Sequence, residues 1–143
     1  MNTRINRRLL IIFVMILLLA ALFGGNMRTR NYVRSHRQEL EAFAIAALEY
    51  PPPHGTLQYG RWAVSCYPEK GMVEFFTGGF GLAPSTVYRG FYYSAGDAHT
   101  PFQGIDQPLE VTGSAAEWRE PESDNWGRSR RIMPHWFWYE AHF

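Results

Sequence analysis

Residues 51–77, PPPHGTLQYGRWAVSCYPEKGMVEFFT, change the grammar of the chain. Pro51, Pro52 and Pro53 end any helix that reaches them, because proline lacks an amide hydrogen and pushes the preceding residue out of the helical region. Beyond the prolines the chain reads as extended. Residues 57–67 are rich in β-branched and aromatic side chains. Their second half alternates, Trp62, Val64 and Cys66 on one face against Ala63, Ser65 and Tyr67 on the other. Pro68-Glu69-Lys70-Gly71 is a turn signal, proline early and glycine late, that leads into a second extended run at 72–77. The two runs predict a β-hairpin.

Downstream the same pattern continues. Gly78-Gly79-Phe80-Gly81 followed by Pro84 predicts a loop, then a third strand over 85–94. Residues 96–108 carry Gly96, Pro101, Gly104 and Pro108 and are expected to be irregular. Short strands are expected at 109–112 and 115–120, broken near Gly113. After a polar turn at 121–125 come strands at 126–133 and 135–143. The expectation is an antiparallel meander of five or six short strands.

Upstream the pattern is helical. In residues 31–49, NYVRSHRQELEAFAIAALE, the apolar residues Val33, Leu40, Phe43, Ala44, Ala47 and Leu48 recur at helical spacing. Arg37 and Glu41 form an i,i+4 pair on the wet face. Such a helix is available to cover one face of the sheet, which makes the fold class α+β. Before it stands LLIIFVMILLLAALFGG, residues 9–25, the apolar part of an uncharged window at 9–27. As a helix this window reaches roughly 28 Å, close to the ~30 Å hydrocarbon core of a bilayer. It predicts a single transmembrane helix, flanked by Arg4, Arg7 and Arg8 before and by Arg28 and Arg30 after. Nothing between Arg28 and Arg37 breaks a helix, so the amphipathic segment is expected to continue the apolar one, with a hinge at Gly24-Gly25. Four parts result: a basic tail and anchor at 1–29, an amphipathic helix at 30–50, a proline-rich connector at 51–55, and an antiparallel β domain at 56–143.

Charge divides the chain the same way. Residues 1–37 hold seven arginines and no acid, which leaves seven basic residues against all 13 acids in 38–143, a formal −6. Arginines that bracket an apolar helix meet anionic headgroups, and the acidic remainder argues against nucleic acid as a partner. The run is longer than the 7–15 apolar residues usual in a cleaved signal, and residues 22–26 offer no small-x-small site, so an uncleaved signal anchor is expected. A short basic tail is difficult to translocate. The N-terminus is therefore expected inside and the C-terminal domain outside the cytoplasm.

The chemistry-bearing residues form no catalytic motif. Cys66 is the single cysteine, so no intrachain disulfide forms, and its place in an alternating strand makes it a small buried apolar residue. No G-x-S-x-G, CxxC, HxxxH or HExxH spacing occurs among the serines, cysteine and five histidines. His135 and His142 lie seven apart on one strand and so on opposite faces, and Asp97-x-His99 offers only two ligands. Glu117, Glu120, Glu122 and Asp124 surround a turn and read as a solvated tip. The Gly78–Gly81 run lacks the Lys-Ser/Thr ending and following helix of a phosphate loop. No enzyme, metal or cofactor is expected.

A non-catalytic module that binds a protein partner at the membrane is expected instead. All five tryptophans lie in the β region, and core building accounts for most of this aromatic load. The contact surface is sought in the aromatic, glycine-bearing stretch with Phe80, Tyr88, Arg89, Tyr92, Asp97 and His99, and in Trp136 and Trp138 of the last strand. That strand is apolar on both faces. Either it is central and covered on both sides, or one face is a contact surface.

At the level of layout, an apolar helix running into an amphipathic helix and then an antiparallel sheet resembles the pilin and pseudopilin plan. That resemblance implies, as the alternative, a subunit of a filament or secretion system. The leader glycine and the early glutamate of that family have no counterpart here: no Gly precedes Leu9, and 9–27 contains no acid.

Overall fold

The structure, a computed structural model, describes residues 7–53, 56–82 and 85–143, the side chains of 7–9, 17–26 and 82 excepted. Two α-helices, α1 (Arg7–Ser35) and α2 (Arg37–Glu49), precede eight strands. These are β1 (Thr56–Tyr59), β2 (Trp62–Tyr67), β3 (Met72–Leu82), β4 (Ser85–Ser94), β5 (Glu110–Thr112), β6 (Ala115–Arg119), β7 (Trp126–Met133) and β8 (Trp136–His142). All join one antiparallel sheet in the order β1-β2-β3-β4-β8-β7-β6-β5. The fold is α+β. It is built from two four-stranded meanders that meet where β4 pairs β8, so the last strand is central.

The β2–β3 hairpin forms as expected, with Tyr67 opposite Met72 across the turn. Two expectations about the extended runs need correction. Residues 57–67 are two strands rather than one, because Gly60 takes φ 57° at the first of two turn residues between Tyr59 and Trp62. That position in a tight hairpin turn calls for glycine. Gly78-Gly79-Phe80-Gly81 is no loop but the second half of β3, which pairs with β4 beyond a register shift between Phe76 and Gly78. Glycine is needed here for close approach: a Cβ at residue 79 would stand 2.6 Å from the Val87 carbonyl oxygen. The extension only lengthens β3, whereas the split turns the seven extended runs into eight strands, more than the five or six expected.

The helices also depart from expectation. α1 runs unbroken through residues 24 and 25, and the break falls at His36. There the Tyr32 carbonyl accepts from the His36 amide and the Ser35 hydroxyl, both at 3.0 Å, and His36 Nδ1 lies 3.0 Å from the same oxygen. Side-chain competition for a helical carbonyl bends helices. α2 ends at Glu49, ahead of the prolines. Among the described residues no helix is long and apolar enough to cross a membrane; part of the run read as a span, residues 17–26, lies outside the described side chains.

Each face of the sheet is covered over part of its area. Val33 of α1 and Leu40, Ala44 and Ala47 of α2 pack on rows of inward side chains that include Val64, Phe75, Phe91 and Trp136. Phe75 and Phe91 stack at 4.7 Å, an arrangement worth about 0.5–1.5 kcal/mol beyond the area it buries. On the opposite face Tyr92, Phe137 and Tyr139 lie under the segment 95–109, whose Phe102 is buried among them. The two apolar faces of β8 therefore make two layers of core, one beneath the helices and one beneath the loop.

Candidate functional site

Period-two alternation and the strand register divide the helix-facing side of the sheet into rows. One row runs Val64–Phe75–Phe91–Trp138–Arg130 across β2, β3, β4, β8 and β7. The next runs Gly78–Arg89–Glu140–Arg128–Glu117–Glu110. A third runs Phe80–Val87–His142–Trp126–Arg119. The first row begins as core under the helices, whereas the second and third lie beyond them and are charged and aromatic.

Glu140 is the hub of this half. It is only 5% exposed, yet Arg89 Nε reaches its Oε2 at 2.6 Å, and Arg128 Nη2 and His142 Nε2 each reach its Oε1 at 3.0 Å. Burial pushes its carboxyl up, but the hydrogen bonds from His142 and Arg89 and the charges of Arg89 and Arg128 outweigh that and hold it below its usual value. A carboxylate so saturated is no proton shuttle. It orients guanidiniums instead, and these lie over rings: Arg89 over Phe80 at 5.0 Å, Arg128 over Trp126 at 5.9 Å and over Trp138 at 5.7 Å. Trp126 stacks on His142 at 4.0 Å.

Beside the hub, the end of α1 leaves a cleft of about 450 Å³. Arg28, Thr29 and Tyr32 of α1 form one wall, Arg61 and Trp62 of the β1–β2 hairpin another, and Thr77–Phe80, Arg89 and Trp138 the floor. Its lining holds three arginines and no acid. Among the described residues Arg28 and Arg61 have no acidic partner, and the one carboxylate nearby is already bound by Arg89, Arg128 and His142. The cleft is a place of unmatched positive charge, walled by aromatic rings, in a domain that is acidic overall.

Of the residues singled out from the sequence, Phe80, Arg89, Trp138 and Arg28 come together at this cleft. Phe80 is 61% exposed, whereas Trp136 and Trp138 are buried, Trp136 wholly within the core. Tyr92 is buried on the opposite face, stacked on Phe137 at 5.1 Å, with its hydroxyl accepting from the Thr100 amide. Tyr88 is on that face too, stacked on Phe102. Asp97 and His99 belong to the covering loop on that face, away from Arg89. Asp97 accepts from the His135 amide at 2.6 Å and pairs with Arg131, contacts that hold its carboxyl below the usual range. His99 Nδ1 lies 2.7 Å from Ser129 Oγ, and burial, helped by Arg131, lowers its pKa. The stretch read as one surface is thus split between two faces by strand alternation. Arg30 is half-buried and does not line the cleft. Arg4 lies outside the described residues, as do the side chains of Arg7 and Arg8.

No protein-family profile, curated protein or solved structure matches this chain. The site must be read from its own geometry. Among the described residues no three His, Cys, Asp or Glu side chains converge as metal ligands.

Sequence reasoning missed Arg61, Trp62 and Tyr32, which reach the cleft from a turn, the start of β2 and a helix, and it missed the Glu140 hub. Two signals were present. Glu140 is the single acid in residues 135–143 and shares a face with Trp136, Trp138 and His142 by period two, and Trp126, Arg128 and Arg130 alternate likewise on β7.

Proposed function

We propose that this chain is a membrane-anchored, non-catalytic binding module: α1 holds the β domain at the bilayer surface, and the arginine-aromatic half of the sheet meets a partner there. The observation that carries the reading is residues 10–16 of α1. These seven consecutive large apolar side chains are each 45–59% exposed. A helix apolar on every side is stable only in apolar surroundings, and the uncharged window at 9–27 is long enough to provide a span. The same helix enters the core through Val33, which is fully buried, and Arg34 donates to the Ile132 carbonyl. The domain is therefore built onto its anchor rather than tethered to it. Among the described residues Glu140 is saturated, Glu74 is buried, and Cys66 is buried with its thiol donating to a carbonyl, so these three groups are engaged within the fold.

The expected topology is N-terminus inside and domain outside. Two reporters fused after Phe143, one active only outside the cytoplasm and one only inside, test it together with alkaline carbonate extraction. An outside signal from an intact chain that resists extraction supports the reading. An inside signal overturns the orientation, and quantitative release by carbonate overturns the anchor. Recovery of the chain in detergent-resistant filaments would favour the pilin-like alternative.

A further inference from the structure

We propose that the cleft between the end of α1 and the β3–β4 ladder binds the phosphate headgroup of an anionic phospholipid; this deepens the membrane reading above and rests on it. Three observations converge. The first is charge. Arg28, Arg61 and Arg89 come from three separate elements to one cleft whose lining contains no acid. The Nε of Arg89 is tied to Glu140, which fixes its position and leaves its terminal amino groups for a second anion. Guanidiniums so placed suit the oxygens of a phosphate better than a lone carboxylate.

The second is the lining between the arginines. Tyr32, Trp62, Phe80 and Trp138 are apolar bodies with polar edges or exposed faces, the side chains that favour the boundary between headgroup and acyl chain. A free anion needs no such walls, and an amphiphile does. The volume of about 450 Å³ admits a headgroup with its glycerol, within the range of small-ligand sites. The floor is open at Gly78, which is opposite Arg89 in the ladder and where a Cβ would meet nothing within 4 Å.

The third is position. Arg28 is the first charge after the uncharged window, so in a spanning helix it stands at headgroup depth and brings the cleft with it. A lipid bound there seals the join between anchor and domain.

The test uses the full chain in mild detergent. Native mass spectrometry and intrinsic tryptophan fluorescence track the addition of dihexanoyl phosphatidylglycerol, dihexanoyl phosphatidylcholine or inorganic phosphate, Trp62 and Trp138 being the reporters inside the cleft. Phosphatidylglycerol is expected to bind at least tenfold more tightly than phosphatidylcholine and than phosphate. Arg61→Gln and Arg28→Gln, which break no ion pair among the described residues, are each expected to weaken it about tenfold. Lys70→Gln, an equal loss of charge away from the cleft, is expected to leave it unchanged. Equal binding of both lipids, or insensitivity to both arginine variants with near-UV dichroism unchanged, overturns the proposal. Phosphate binding as tightly as phosphatidylglycerol overturns the lipid assignment. A chain released by carbonate that still selects phosphatidylglycerol refutes the anchor and leaves the cleft standing, so the two readings fail separately.

Discussion

The Tyr139 hydroxyl donates to Glu74 Oε1 across 3.1 Å although β8 and β3 are not neighbours. Gly90 makes this possible. It lies opposite Tyr139 on the intervening strand, and a Cβ there would stand 2.7 Å from the tyrosine ring. The ring therefore lies across β4 and reaches the carboxyl beyond. Glu74 Oε2 in turn accepts from the Gln103 amide at 3.0 Å, within the only 3-10 turn of the covering loop among the described residues. One buried carboxyl thus ties two strands and the loop together.

That carboxyl makes stability depend on pH in an uncommon direction. Burial pushes Glu74 up from 4.5 to about 7, against the hydrogen bonds from Gln103 and Tyr139, which pull it down. A carboxyl whose pKa is raised by folding binds its proton more tightly when folded. Its contribution is fullest below 4.5 and shrinks as pH rises through 4.5 to about 7, by on the order of 3 kcal/mol at most. His99, lowered by burial, changes stability in the opposite sense across part of this window, so the wild-type curve alone does not isolate Glu74. The difference from Glu74→Gln does. Urea melts at a series of pH values are expected to show wild type losing stability relative to the variant as pH rises from 4.5 to about 7; a constant gap would refute the assignment.

Glu140 has the reverse sign. Its partners hold its pKa down, so its contribution is present above the usual carboxylate value and is lost as pH falls through the folded one. Glu140→Gln removes the negative charge shared by Arg89, Arg128 and His142 and turns one of its two acceptor oxygens into a donor. The two arginines are a third to a half exposed and regain water, which limits the cost to about 1–2 kcal/mol. Arg128→Gln, which leaves Arg89 and His142 on the carboxylate, is expected to cost less than about 1 kcal/mol. Thermal melts at neutral pH rank the two, and an equal loss from both would show that Glu140 is not the hub.

The hairpin at β2–β3 and the helix over 37–49 were readable because each rests on local chemistry: a proline-glycine turn, an apolar stripe, a proline stop. The split at Gly60 and the glycine-bearing half of β3 were not. Glycine has the same local meaning whether it opens a turn or clears space for Val87 across a ladder, and only the partner strand decides. The kink at His36 depends on three groups converging on one carbonyl. The cleft was half readable. Phe80, Arg89 and Trp138 carry their chemistry in their types, but Arg61 and Tyr32 join them only through the fold. Pairing of β4 with β8, which brings Arg89 to a glutamate 51 residues away, has no local signal.

Gly127 should resist substitution for a reason its strand alone does not show. It lies opposite Trp118, and a Cβ there would run into the indole, 2.6 Å from its Cε2 and 2.7 Å from its Cζ2. The indole lies over the glycine, as aromatic residues do when they cover a strand glycine. Gly127→Ala is expected to cost about 1–3 kcal/mol by overpacking. Trp118→Leu alone also destabilises, by loss of buried area. The double variant is expected to be more stable than the sum of the two changes predicts, because the smaller side chain clears the alanine methyl. Strict additivity in chemical denaturation would mean the two do not share that space.

Cys66 joins the sheet to the helix above it. Its thiol donates to the Ala47 carbonyl at 3.2 Å, one of the last carbonyls of α2, which has no basic residue in its final turn. The thiol is buried, and burial, aided by Glu69, pushes its pKa up, so little thiolate is present at neutral pH. A disulfide reagent such as Ellman's reagent should leave the native chain unmodified over the time in which it fully modifies the chain in urea. Cys66→Ala removes the donor along with the sulfur and is expected to cost about 1–2 kcal/mol. Cys66→Ser keeps a donor but buries a more polar group in an apolar layer, and is expected to be no more stable than the alanine variant unless the Ala47 carbonyl depends on that hydrogen bond. A serine variant clearly more stable than alanine would assign the role of Cys66 to capping α2. Rapid native labelling would show that α2 lifts from the sheet on the timescale of the reagent.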